Sequence, residues 1–220
     1  MSDPQIPRSP EERLRSLLAP ERCAVLLQEV QEGVIGTTSG LPELARAACE
    51  SSLIANAETV VKAARLVQVP VIHCTAENLP NGFGSNVNAR LFMGARKSGL
   101  TNLAGSESVK PISAVGPVAA DIVMPRLHGL SPLTGSSLDS LLRNRGVHTL
   151  VVIGVSLNIA IPNLVFDAVN RAYQVVLVSD AVVGVPPEYG KQVIQYSLSL
   201  VSTLATSDEV AGVWSSGGES

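Results

Sequence analysis

The stretch VVIGVSLNIAIPNLVFDAVNRAYQVVLVSDAVVG, residues 151–184, decides the fold. It reads as a buried strand from Val151, a tight bend through Gly154 to Asn158, a helix, and a second apolar strand from Gln174 to Val178. A strand, a helix and a strand in this order make a right-handed crossover between parallel neighbours. The bend that follows a parallel strand is where open α/β sheets keep their chemistry. Here it carries no Cys, His, Lys or acid: its polar side chains are Ser156 and Asn158, and the head of the helix is Ala160.

The same alternation extends in both directions. CAVLLQEV, from Cys23, is a buried strand, and residues 41–69 read as helical up to Val69-Pro70, where the proline directs the chain into the strand VIHCTAE. DIVMPR is a further strand, and SSLDSLLRNRGV a helix with Ser136 or Ser137 as N-cap and Gly146 as its stop. A last helix is expected from about Lys191 to Leu204. The fold class is therefore α/β, a three-layer sandwich around a doubly wound, mostly parallel sheet. Residues 1–20 are expected to be a poorly ordered lead with a helical turn around Glu11 to Leu18, residues 21–207 one domain, and residues 208–220 a flexible tail. Within the domain, residues 78–92 read as a polar loop, with a helical piece in part of Asn86 to Lys97. A long irregular connection then runs to about residue 120.

Composition narrows the function classes. A chain of 220 residues with 45% hydrophobic content can bury a full core. A net charge of -3 with scattered basic residues gives no footprint for nucleic acid. No apolar run approaches the roughly 20 residues needed to cross a bilayer, and the N-terminus has no apolar signal core, so a cytoplasmic protein without a membrane partner is expected. Three cysteines without C-x-x-C spacing and three histidines indicate neither a disulfide frame nor a metal cluster. Cys23, Cys49 and Cys74 read as reduced packing residues. The glycines of NGFGSN lack dinucleotide spacing, and no cofactor is expected.

Loops after successive parallel strands converge, so the polar groups just beyond each strand are the site candidates: Glu29 and Gln31, His73 and Glu77, Arg126 and His128, Ser156 and Asn158. Glu29 ends an apolar run, where an acid is costly unless it is paired or functional. It either exchanges protons with a ligand or forms a structural pair with Arg126. His128 is a substrate contact or a loop histidine bonded to backbone. His73, inside a strand, reads as a core residue, and Asn88 or Arg90 could reach the pocket or a subunit contact.

Three segments together resemble the isochorismatase-like superfamily, also called the cysteine hydrolases, which includes nicotinamidases, carbamoylsarcosine amidases and isochorismatases. They are AVLLQEVQEGVIG, GLSPLTGSSLDSLLRNRGVHTLVVIGV and GVSLNIAIPNLVFDAVNRAYQVVLVSDAVVG. The resemblance implies the same three-layer fold, a small-molecule substrate and a homo-oligomer, dimer or tetramer. Members that cleave amides use an Asp, a Lys and a Cys, with helix-end N–H groups holding the oxyanion. At those positions this chain has Glu29, Leu127 with Arg126 beside it, and Ala160. Two functions follow. One is a thiol-independent hydrolase of a small, anionic substrate, with Glu29 as acid or base. Arg126, His128, Ser156, Asn158 and the Ala160 helix tip would then bind the substrate. The other is an inactive pseudo-enzyme that binds a small ligand or serves in assembly.

Overall fold

The bend in residues 151–184 turns on Gly154, whose φ of +115° lies where only glycine is comfortable. A Cβ there would stand 2.2 Å from the Gln28 carbonyl oxygen, so the position also admits a neighbouring backbone that no side chain would allow. The computed structural model describes residues 9–97 and 102–216. Six strands, β1 (Cys23–Gln28), β2 (Val71–Ala76), β3 (Ile122–Arg126), β4 (Thr149–Val155), β5 (Gln174–Val183) and β6 (Thr203–Ala205), form one sheet. Its order is β3-β2-β1-β4-β5-β6, with every pair parallel. The order reverses between β1 and β4, and a crevice opens at the carboxyl ends of strands flanking such a reversal.

The helices are α1 (Pro10–Leu17), α2 (Glu32–Ile35), α3 (Pro42–Glu50), α4 (Leu53–Leu66), α5 (Arg90–Lys97), α6 (Pro132–Gly135), α7 (Leu138–Asn144), α8 (Ala160–Asn170), α9 (Pro187–Tyr196) and α10 (Ser207–Ser216). They cover both faces of the sheet. On one face Val25, Leu27, Val151, Ile153 and Val176 pack with Leu53, Val60 and Ala64 of α4 and Val210 and Trp214 of α10. On the other, Leu26, Leu150, Val152 and Leu177 pack with Leu138 and Leu142 of α7 and Ile161, Leu164 and Val165 of α8. Strands β1 and β4 are buried on both sides, hence their unbroken apolar sequences.

Four details differ from the sequence reading. The helix expected over residues 41–69 breaks at Ser51-Ser52: the Ser51 hydroxyl caps the Leu53 N–H, starting α4 afresh. The helix expected to reach Leu204 ends at Tyr196, and Leu204 lies in the short edge strand β6 instead. The tail is helical through residue 216. It forms α10, because Val210 and Trp214 are apolar at helical spacing and the Trp214 Nε1–H donates to the Leu18 carbonyl at 2.8 Å. The lead is likewise ordered from Ser9, which caps α1 in a reciprocal pair with Glu12 while Leu14 and Leu18 enter the core. Residues 1–8 and 217–220 of the expected lead and tail lie outside the described residues.

Candidate functional site

Glu29 is the first residue past β1, at the edge of the crevice. Its φ of 54° is left-handed, a conformation that costs a non-glycine residue about 1 kcal/mol or more. The backbone is held there by the Glu29 N–H, which donates to the Cys74 carbonyl of β2 at 2.9 Å. Two donors orient the side chain. Arg126, at the end of β3, gives an Nη2–H to Glu29 Oε1 at 2.6 Å, and the fully buried Gln28 gives an Nε2–H to the same oxygen at 3.0 Å. Among the described residues Oε2 takes no hydrogen bond. A carboxylate clamped this way on one oxygen is an acceptor at the other.

Arg126 is committed to this arrangement. Its Nη1 donates to the Gly129 carbonyl, with the His128 carbonyl at 3.5 Å, so the loop after β3 wraps the guanidinium. The ion pair foreseen as the structural alternative for Glu29 is thus present, and it forms part of a cavity wall. The His128 side chain is exposed at the same cavity.

Beyond β4, the Val155-Ser156 peptide is cis and the chain then enters α8. The Ser156 carbonyl accepts from the Ile161 N–H at 3.0 Å. Pro162 has no N–H and the Asn163 N–H donates to the Ile159 carbonyl at 2.9 Å, so among the described residues the Ala160 N–H is the donor left at the positive end of the helix dipole. Ala160 begins the helix and presents only a methyl group. Asn158 is not free to read a ligand: its amide donates to the Val185 carbonyl and accepts from the Val185 N–H at 2.8 Å, pinning the loop after β5.

Glu29, Arg126, Leu127, His128, Ser156, Asn158 and Ala160 all line one cavity of about 750 Å³. Gln31 shapes it from behind. Its buried side chain accepts from the Ala76 N–H at 2.7 Å and donates to the Ala76 and Ser108 carbonyls, each at 3.1 Å. Glu77 also lines the cavity and accepts from the Thr75 hydroxyl at 2.8 Å. The sequence reading missed Gln28, because a polar residue closing an apolar strand gives no sign of being buried. It also missed Leu91, Phe92 and Arg96 of α5, which line the cavity where Asn88 and Arg90 do not. The i, i+1, i+4, i+5 spacing of Leu91, Phe92, Ala95 and Arg96 could have indicated one helix face.

The remaining candidates belong to the core or the surface. His73 is buried, with Nε2 at 3.2 Å from Asp121 Oδ2, and burial holds its pKa below the usual histidine value. Burial pushes the thiols of Cys23 and Cys74 up to about 12, so neither is a nucleophile at neutral pH. Cys49, expected to pack, is exposed on α3 because it falls on the helix's outer face. Among the described residues no group of three His, Cys, Asp or Glu could hold a metal ion, and no helix is long and apolar enough to cross a membrane.

Comparison with known proteins agrees with this fold. The ureidoacrylate amidohydrolase RutB of Serratia proteamaculans is 24% identical over 193 residues, 82% of this chain and 77% of the relative. RutB of Pseudomonas syringae pv. syringae is 26% identical over 157 residues, a match spanning 66% of this chain and 64% of that protein. Among solved structures, a cysteine hydrolase from Pseudomonas syringae pv. phaseolicola superposes with a TM-score of 0.78 at 22% identity, covering 98% of this chain and 99% of the other. N-carbamoylsarcosine amidase from Thermoplasma acidophilum gives 0.68 at 24% identity, over 85% of this chain and 97% of its own. The isochorismatase domain model matches residues 23–209, from the first residue of β1 into α10, and the chain therefore belongs to the isochorismatase domain family.

Proposed function

We propose that the protein is a small-molecule hydrolase that works without a thiol, with Glu29 as its general base. The observation that carries this reading is the Glu29 carboxylate itself: one oxygen is fixed by Arg126 and Gln28, the other is unengaged among the described residues, and the backbone beneath it is left-handed. Strained backbone concentrates where function demands a placement that packing alone would not choose. In the step we propose, Glu29 Oε2 takes a proton from water as the water oxygen attacks a carbonyl carbon. The resulting oxyanion faces the Ala160 N–H at the start of α8. The C–N bond then breaks, and the departing nitrogen takes the proton back from Glu29. Ser156 and His128 contact the substrate, while Arg126 and Asn158 act as positioning residues.

Oε1 accepts from Arg126 and Gln28 while Oε2 is left as an acceptor, a geometry suited to taking a proton from water in amide hydrolysis. Amide hydrolysis is also the activity named in the RutB relatives. Negative charge, resident on the substrate or developing on its carbonyl, is met by the α8 tip and by Arg96, which has no ion-pair partner among the described residues.

A second reading, a ligand-binding module without turnover, draws support from Ala160 and Leu127 at positions where the family resemblance implies Cys and Lys. One experiment separates the two. The purified chain and its Glu29→Gln variant are incubated with a panel of amides, ureido acids and enol-ether acids, with products followed by mass spectrometry. The hydrolase reading expects at least one substrate to be consumed by the parent, and spared by a variant of unchanged fold. Ligands that raise the melting temperature while none is consumed would establish the binding module instead.

A further inference from the structure

We infer that the cavity is built for an amphiphile whose bulk is an apolar acyl chain or aryl group, joined to a carboxamide head that reaches Glu29. The carboxamide rests on the hydrolase reading above; the apolar body does not.

The floor and the walls differ in chemistry. At the floor the Glu29 carboxylate and Arg126 guanidinium neutralise each other, and Ser156 and the α8 tip supply neutral polar groups. Much of the remaining lining is hydrocarbon, from Leu44, Leu79, Leu91, Phe92, Leu130 and Ile159, with Leu127 next to Arg126 in the chain. Asn78, Asn81, Ser85, Asn86 and Asn102 interrupt it, with Asn86 accepting from the Gly129 N–H and Ser85 donating to Asn78. Arg96 and Glu43, both exposed, are further charged groups lining the cavity, and Glu77 is held by Thr75.

Size and exposure point the same way. A cavity of about 750 Å³ accommodates a ligand on the order of 20 non-hydrogen atoms. A substrate of only a few polar atoms would occupy the floor and leave the wall wet. Leu91 is 48% exposed and Ile159 39%, and both border the cavity. Exposed apolar side chains gathered around one cavity mark a surface meant to be covered. Helix α5, which supplies Leu91 and Phe92, buries none of its own residues against the protein. Its apolar side chains are therefore available to a ligand.

The test is a homologous series of straight-chain primary amides, butanamide, hexanamide and octanamide, with phenylacetamide as the aryl member. Dissociation constants are measured by calorimetry, and ammonia release is measured in parallel. Affinity should rise about fourfold for each methylene added. Leu91→Ser/Phe92→Ser, placed in a helix with no buried side chain, should flatten that slope without lowering the melting temperature. Leu127→Lys, checked for retained fold by circular dichroism, should flatten it as well. A series without a slope, no binding by any member, or a slope that survives the α5 double variant overturns the assignment. Binding with the expected slope but no ammonia sinks the hydrolase reading and leaves the apolar cavity standing. Ammonia release without a slope does the reverse.

Discussion

Removing either partner of the Glu29–Arg126 pair should destabilise the protein far more than loss of a surface ion pair would. The side chains are 16% and 10% exposed, and their closest atoms stand 2.6 Å apart. With charge centres about 4 Å apart and an effective dielectric of about 20, the attraction is about 4 kcal/mol. Breaking a largely buried pair by removing one member costs about 3–5 kcal/mol, because the survivor is left uncompensated. Some solvent reaches both groups, so we expect about 3 kcal/mol for Glu29→Gln and for Arg126→Met, a fall of about 6–12 °C in melting temperature. The double variant should cost distinctly less than the two singles added, with a coupling energy of about 2 kcal/mol. Urea unfolding of the four proteins gives the cycle. If each single variant lies within 0.5 kcal/mol of the parent and the effects add, the pair is screened by solvent and the account of a fixed, oriented carboxylate fails.

Other perturbations test separate parts of the structure. The folded state holds the pKa of His73 below the ordinary 6.5, so its contribution is fully present above that pH and is lost as pH falls below it. The stability of His73→Gln, followed by urea unfolding from pH 7 to 5, should decline less steeply than that of the parent; parallel curves would exclude the histidine. Asp121 and Asp167 have lowered carboxyl pKa values, held down chiefly by Arg65 and by Ser131 against the opposing effect of burial. Their contributions persist above the ordinary 3.8 and disappear as pH drops below it. Iodoacetamide at pH 7 should label Cys49 alone in the native chain and all three cysteines after denaturation; rapid native labelling of Cys74 would contradict its burial. Gly154→Ala forces a Cβ to 2.2 Å from the Gln28 carbonyl, and should yield little soluble protein or a loss exceeding about 4 kcal/mol in urea unfolding. Truncation after residue 206 should destabilise the fold by removing Trp214 and Val210 from the core, which thermal melting would register.

The architecture was readable because strands buried on both faces and helices buried on one leave different periodicities. CAVLLQ and TLVVIGV are continuous apolar runs, and the residues 160–170 helix repeats its buried positions every three or four. Strand β6 was missed because three residues, Thr203–Ala205, carry too little pattern to be seen beside a helix. The α10 segment was missed because it is short, runs into SSGGES, and has in Trp214 a single aromatic anchor. At the site, Glu29, Arg126, His128, Ser156, Asn158 and Ala160 do meet in one cavity, since each follows or closely follows a strand of a parallel sheet. What sequence could not supply was side-chain partnership. Asn158 read as a ligand contact, yet its amide is spent on Val185 from a loop 27 residues away. Arg126 read either as an anion clamp or as the partner of Glu29, and the structure has it as the partner. The contribution of α5 depends on how a polar loop folds back over the sheet edge, and loop direction leaves no period in a sequence.

The Gln31 side chain has a consequence for how this pocket can diversify. Its primary amide imitates a peptide unit, meeting both main-chain groups of Ala76 as an adjacent strand would while gripping Ser108. One side chain thus adds an anchor to a segment that is also tied through its backbone to Asn78, Val30 and Glu32. Insertions and substitutions around residues 102–111 can remodel that wall while the anchor persists. Gln31→Glu, by contrast, would set a carboxylate against two carbonyl oxygens and loosen the wall at Ser108.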